Sequence, residues 1–454
     1  MKTKLFGSSG VRGITNVDLT PFLAVKIGYA AATVLKAKKA VVGRDTRVSG
    51  LMLENALVSG LLSCGADAYC LNVVPTPVLA YLTKRLDADV GIMVTASHNP
   101  PQYNGIKLFN NDSLSFNEEK QDKIEEAISQ GKYRLSEWRN LGKAQHADES
   151  KLYLEMVRQK VKLKKHWHVV VDSGCGATSL LAPKLFKELK CKMTTINAQP
   201  DGFFPARSPE PNAETLKPLS KIVQALDADI GIAYDGDGDR VAFLDEKGNF
   251  ADFDRILAAY SAYVVRKNRG RTVITNVEAS MCVEKMVEAS GGKVVRTKVG
   301  DVYVAEEMKK RKAIFGGEPC GAWIHPQIHY CPDGLLSSAL LLKALEDKQQ
   351  KISEFIAETP QYPVLRENIK CENETKHTTI EKLAEKLNSA FPKHKEISKV
   401  DGVRLALEDG WVLVRASGTE PLIRLTVEGE SLKAAQQIMK ETVSIVKKLV
   451  EEKR

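Results

Sequence analysis

Short apolar runs alternate along the chain with longer segments whose apolar positions recur every three or four residues. The runs at 39–43, 68–73, 90–95, 168–172, 230–233, 272–275 and 293–296 have strand length and are rich in valine and isoleucine. Between several of them lie stretches of helical period, such as 51–64 and 179–189. Strands joined in this way by helices predict an α/β architecture with mixed, largely parallel sheets. The last stretch has another rhythm. Residues 380–387 predict a helix, 403–407, 411–415 and 422–427 predict strands, and 430–451 predict one long amphipathic helix. A smaller α+β domain therefore closes the chain.

One pattern repeats. Residues 86–92 read LDADVGI and residues 226–232 read LDADIGI, each leading through a short strand into a polar loop, TASHNP or YDGDGDR. A third segment at 313–321, AIFGGEPCG, has the same outline. This predicts one α/β unit used three times, each copy presenting a loop from a strand end, where open α/β sheets bind ligands. The expected domains are 1–150, 151–252, 253–365 and 366–454.

Composition narrows the class. The chain has 454 residues, 43% hydrophobic and 27% charged, which excludes disordered and collagen-like classes. Its net charge of +9 is spread over the whole chain, which suits a small anionic ligand better than a nucleic acid. The eight cysteines include no C-x-x-C pair, against a zinc site or a disulfide framework. With no signal-like start and no apolar run of membrane-spanning length, a cytoplasmic protein without membrane association is expected.

The sharpest chemical signal is Asp235-Gly-Asp237-Gly-Asp239-Arg240, directly after an apolar strand. Three carboxylates alternating with glycines can converge on one hard cation and leave room for a phosphate oxygen. An EF-hand has similar acidic spacing, but its required turn glycine is Arg240 here and a strand-like run follows. A solvated acidic turn is disfavoured because carboxylates packed that closely repel. Next comes Thr95-Ala-Ser97-His98-Asn99-Pro100, followed by Lys107. Ser97 is a candidate nucleophile or phosphate carrier, with His98 and Lys107 for proton transfer or charge neutralisation. No G-x-S-x-G elbow surrounds it. Arg415-Ala-Ser417-Gly418-Thr419, with Arg424 beyond, makes a phosphate cradle of hydroxyls, backbone N–H groups and arginines. The N-terminal stretch at 7–13 is glycine- and serine-rich and carries Arg12. In GGEPCG, Glu318 suits sugar hydroxyls, and Cys320 reads as a small packing residue.

These motifs, in this order, resemble the α-D-phosphohexomutase superfamily over the whole chain. The resemblance implies three related α/β domains and a TATA-box-binding-protein-like C-terminal domain around a central cleft. It implies Ser97 as the phosphoserine, and Ser97, Asp235, Asp237 and Asp239 as ligands of one Mg²⁺. Glu318 is then placed on the sugar hydroxyls beside Cys320 and Arg240, and Arg415, Ser417, Gly418, Thr419 and Arg424 on the non-reacting phosphate. Arg12, Lys107 and His98 fall in the catalytic centre. The implied activity is interconversion of 6-phospho and 1-phospho hexoses through a hexose 1,6-bisphosphate, which also serves as activator.

Segments at 43–50 and 75–83, and Lys298-Val-Gly300-Asp301 with its continuation, resemble the phosphoglucosamine mutase branch. They add Lys298, Gly300 and Asp301 to the substrate contacts. Residues 200–205 are more similar to the phosphomannomutase/phosphoglucomutase branch, which is the alternative, beside another sugar-phosphate mutase such as a phosphopentomutase. A Mg²⁺-dependent sugar phosphatase and a non-catalytic sugar-phosphate sensor complete the set of readings. The specificity loop departs from the family's G-E-M-S-G-H, with Cys320 for the serine and Ala322 for the histidine, so that histidine's role is not carried over; His325 and His329 are nearby but offset from its position. Pro332 replaces an arginine of the family's R-D-G. The expected partners are small sugar phosphates, with a monomer or homodimer as the assembly.

Overall fold

A computed structural model of the chain describes residues 4–7, 9–268, 271–417 and 420–451. Strands β1 (Val11–Ile14), β2 (Lys39–Arg44), β3 (Asp67–Val73), β4 (Val90–Val94), β5 (Tyr103–Asn110) and β6 (Ala144–His146) form one sheet in the order β1-β5-β4-β2-β3-β6. Strands β7 (His168–Asp172), β8 (Lys192–Ile196), β9 (Ile230–Tyr234) and β10 (Val241–Leu244) form a second, ordered β10-β9-β7-β8. The third contains β11 (Thr272–Asn276), β12 (Lys293–Thr297), β13 (Phe315–Gly317) and β14 (Trp323–Ile324), ordered β12-β11-β13-β14. In each sheet a strand pairs parallel to the central one and the chain then returns antiparallel: β4 then β5, β9 then β10, β13 then β14. The three-copy α/β reading holds. Lys107 lies on strand β5, opposite Met93.

The LDAD echo has a physical cause. Helices Thr76–Arg85, Lys217–Ala225 and Asp301–Arg311 each stop at a residue of positive φ: Asp87 at 52°, Asp227 at 47° and Lys312 at 52°. Aspartate tolerates this conformation better than most residues. Two residues later, Asp89 Oδ2 accepts the N–H groups of Lys38 and Lys39 at 2.8 and 3.0 Å, and Asp229 Oδ2 accepts that of His168 at 2.7 Å. The first aspartate ends the helix and the second sets the start of the neighbouring strand.

The three α/β units share one apolar core, running from Leu79 and Phe109 through Tyr153 and Phe243 to Trp323 and Leu342. The closing unit is separate. Strands β15 (Val364–Lys370), β16 (Glu396–Ser398), β17 (Val403–Ala406), β18 (Gly410–Ala416) and β19 (Leu422–Gly429) make an antiparallel sheet ordered β15-β19-β18-β17-β16. Helices Asn373–Ala390 and Leu432–Glu451 cover it around a core that includes Leu405, Val412 and Leu425. Its contact with the third unit includes the small apolar group of Val277, Trp411 and Leu413. There buried Glu428 Oε2 accepts from Met281 N at 2.8 Å and Trp411 Nε1 at 2.7 Å. Among the described residues, no helix is long and apolar enough to cross a membrane.

Candidate active site

The loops after β4, β9 and β13 meet at one cavity of about 300 Å³. Its lining includes Arg12, Ser97, His98, Lys107, Asp239, Arg240, Gly300, Asp301, Glu318 and Cys320. Ser97 is buried and has a φ of 51°, a left-handed conformation that a serine keeps only when its surroundings enforce it. Its N–H donates to Thr95 Oγ1 at 2.9 Å, and Thr95 Oγ1 donates to Asp45 Oδ2 at 2.6 Å. Asp45 is ion-paired with Arg47 Nε at 3.0 Å. The Arg47 guanidinium then donates to the carbonyls of Ser97, Asn99, Pro100 and Tyr103 at 2.9, 2.6, 2.6 and 2.8 Å. One buried arginine thus ties together the whole serine loop.

The acidic loop approaches from the second unit. Ser97 Oγ donates to Asp235 Oδ2 at 2.6 Å, and its distance to His98 Nδ1 is 3.3 Å. Lys107 Nζ lies 2.9 Å from Asp237 Oδ2 and 2.7 Å from Asp239 Oδ2. Thr76 Oγ1 donates to Asp237 Oδ2 at 2.6 Å, and Thr76 N donates to the Asp237 carbonyl at 2.9 Å. Gly236 makes this approach possible, because a Cβ there would fall 2.5 Å from the Ser97 carbonyl oxygen. Gly236→Ala should therefore push the two loops apart and lower kcat about 100-fold, the scale of a misplacement near 1 Å, in a steady-state assay. An alanine variant with unchanged kcat would show that this contact does not position Ser97.

The aspartates fit a cation. Oxygens of Asp235, Asp237 and Asp239 all lie within 4.8 Å of one another, and the three residues are buried. Asp237 Oδ1 and Asp239 Oδ1 are buried without a hydrogen-bond partner, at an unfavourable cost unless a cation meets them. Burial, then the charges of Asp239 and Asp237, push the Asp235 carboxyl well above the usual carboxylate range. Burial acts the same way on Asp237, but Lys107 and the Thr76 hydroxyl outweigh it and hold that carboxyl low. Burial opposes the charge on Lys107, yet Asp237 and Asp239 together raise its pKa, so its ammonium supplies charge and is not a free base. His98 is pushed down to about 3 by burial and by the Arg240 and Arg12 charges, which leaves a neutral imidazole.

In the third unit's loop, Glu318 Oε1 accepts from Asn276 Nδ2 at 2.7 Å and Gly300 N at 2.8 Å. Burial, then the Asp301 charge, raises its pKa. Burial also lifts the Cys320 thiol to about 12, so it stays protonated and inert. Ala322 and Pro332 line the cavity, but neither nearby histidine replaces the missing family side chain. His325 is buried with Nε2 2.9 Å from Ser337 Oγ, and His329 is buried with Nε2 3.0 Å from Asp333 Oδ2. Both are packing residues of the third unit. Lys298 stands outside the cavity lining, over the Tyr303 ring and 3.8 Å from Glu118.

A neighbouring cavity of about 560 Å³ is lined by Arg366, Arg415, Ser417 and Arg424 of the closing unit, together with Glu278. Arg415 and Arg424 face each other across β18 and β19. Like charges directly opposite in a sheet repel, which an anion between them would relieve. Gly418 and Thr419, expected in this cradle, lie outside the described residues, as does Ser8 of the N-terminal stretch. Sequence reasoning assigned no role to Asp45, Arg47, Thr76 or Asn276. The only available signal was the two motifs that carry Arg47 and Thr76, GRDTRVSG and PTPVLAYLT.

Comparison with known proteins decides the family. Descriptions of phosphoglucomutase/phosphomannomutase α/β/α domains I, II and III match residues 3–134, 151–248 and 252–362, and the C-terminal domain matches 367–445. The chain is 43% identical over 449 residues to a phosphoglucosamine mutase from Methanocaldococcus jannaschii, covering 98% of both chains. The chain belongs to the phosphoglucomutase/phosphomannomutase family. A Pyrococcus horikoshii relative named "Probable phosphoglucosamine mutase" is 40% identical over 449 residues, covering 99% of each chain. A crystal structure of a phosphoglucomutase/phosphomannomutase family protein from Burkholderia thailandensis has a TM-score of 0.89 at 28% identity, covering 99% of this chain and 98% of that one. Family membership makes this chain an isomerase of the phosphohexomutase type, an enzyme that moves a phosphoryl group within its substrate.

Proposed function

We propose that this phosphohexomutase interconverts glucosamine 6-phosphate and glucosamine 1-phosphate through a phosphoserine at Ser97 and a 1,6-bisphosphate intermediate. The observation that carries this reading is the strained, buried Ser97, with Oγ 2.6 Å from Asp235 and set across a shared cavity from Glu318. The sugar assignment follows the names of the relatives at 40–43% identity. Asp235, Asp237, Asp239 and the Ser97 phosphoryl would hold Mg²⁺, which when bound neutralises charge on the transferring group. The chain does the rest. Arg47 and Thr76 orient the serine and aspartate loops, and Lys107 holds two carboxylates in register. His98, with Nδ1 3.3 Å from Ser97 Oγ, is a neutral hydrogen-bond partner there, since burial and the Arg240 and Arg12 charges oppose its protonation. Glu318 takes sugar hydroxyls, while Arg415, Ser417 and Arg424 grip the phosphate that is not reacting.

The test is a kcat/KM panel with glucosamine-, glucose- and mannose-phosphates, on protein whose Ser97 phosphorylation has been measured by mass spectrometry. The reading expects phosphate on Ser97, activation by a sugar bisphosphate and a preference for glucosamine phosphate. Steady release of inorganic phosphate without isomer formation would replace it with a phosphatase.

A further inference from the structure

Glu278 stands between the two halves of the site. Among the described residues, it is the one side chain that lines both the Ser97 cavity and the closing unit's cavity. Asn276 fixes its place, because Asn276 Oδ1 accepts the Glu278 N–H at 2.9 Å while Nδ2 donates to Glu318 Oε1 at 2.7 Å. Asn276 thus links the Glu278 backbone to the Glu318 carboxylate within the lining of one cavity. The Glu278 carboxylate is ion-paired with Arg415 Nη1, and Arg415 Nη2 lies 2.9 Å from Asp401 Oδ2. Asp401 Oδ2 also accepts the Val299 N–H at 3.1 Å. The guanidinium proposed to grip phosphate is thus already shared between two carboxylates.

A phosphate dianion arriving at Arg415 competes for that guanidinium. Asp401 keeps its Val299 donor, but Glu278 loses its charge partner and remains in the lining of the Ser97 cavity. The other carboxylates facing the sugar already have partners: Glu318 has Asn276 and Gly300, and Asp301 has Ser9 Oγ at 3.3 Å. A hydroxyl on the substrate leaves the Glu278 charge uncompensated; an ammonium group neutralises it. We propose that Glu278 reads the 2-ammonium of an amino-sugar phosphate and so sets the preference for it over neutral hexose phosphates. This rests on the mutase reading above.

The experiment compares wild type, Glu278→Gln and Glu278→Asp on glucosamine 6-phosphate and glucose 6-phosphate, with bisphosphate present and Ser97 phosphorylation measured. Glu278 is half-exposed, so neither variant should disturb the fold. The expected result is a drop of about tenfold in the glucosamine-to-glucose ratio of kcat/KM for Glu278→Gln, because loss on glucosamine phosphate meets relief on glucose phosphate. Glu278→Asp, which keeps the charge, should retain most of the ratio. A ratio unmoved by Glu278→Gln overturns the proposal, and an equal fall on both sugars reduces Glu278 to a positioning residue for Arg415. If the wild type converts neither sugar and carries no phosphate on Ser97, the mutase reading falls and the proposal with it.

Discussion

Ser97→Ala is expected to lower kcat by at least about 10⁴-fold, the scale seen when a group that forms a covalent intermediate is removed. Ser97 Oγ is the hydroxyl that meets Asp235 inside the acidic triad, whereas Thr76 Oγ1 is committed to Asp237 and Ser9 Oγ to Asp301. On the proposed reading the loss should fall on turnover and not on affinity, because the groups assigned there to hold the sugar bisphosphate, Glu318 and the arginines of the closing unit, remain. A coupled assay for product, with calorimetric titration of the bisphosphate, separates the two. Full turnover by the alanine variant would sink the phosphoserine mechanism, whereas loss of both turnover and binding would point to a collapsed loop.

Arg47→Ala should show the largest combined effect on stability and activity. Its side chain is buried, it neutralises buried Asp45, and it donates to four carbonyls of the serine loop. Removing one member of a buried pair costs about 3–5 kcal/mol, mainly because the remaining charge is left unpaired. Burial already raises the Asp45 carboxyl, with Arg47 the main opposing influence, and the variant would push it further toward the neutral acid. Scanning calorimetry should show a lower Tm, and kcat should fall because Ser97 is free to leave its left-handed conformation. Arg47→Lys should restore little, since one ammonium cannot replace the planar fork that spans those carbonyls. A lysine variant with wild-type kcat and Tm would contradict this account of the loop.

Much of this was legible locally. The LDAD pairs predicted the repeated unit because a helix stop followed by a strand start is written in consecutive residues. Asp235, Asp237 and Asp239 were legible for a similar reason, since all three sit in one turn and needed no distant partner to be recognised. The histidines were not legible this way. His325 and His329 lie near the missing family side chain in sequence but offset from it, and both point into contacts with Ser337 and Asp333. Lys298 shows the same limit, because it follows strand β12 closely and its ammonium lies 3.8 Å from Glu118 of the first unit. No spacing rule reveals which neighbour a side chain meets after folding.

The sequence alone determined the alternation of elements, the threefold repeat with its distinct closing unit, and which loops carry chemistry. Those are properties of short contiguous segments, set by periodicity and by residue type. The tertiary structure decided how the loops face one another. Ser97 meets Asp235 across 138 residues, Lys107 meets Asp239 across 132, and Thr76 meets Asp237 across 161. It also decided that Arg47 binds the serine loop together and that Glu278 lies between two cavities. Such contacts arise only when the packed core of the three α/β units brings separate strand ends to one place, so their energies have no trace in local sequence pattern.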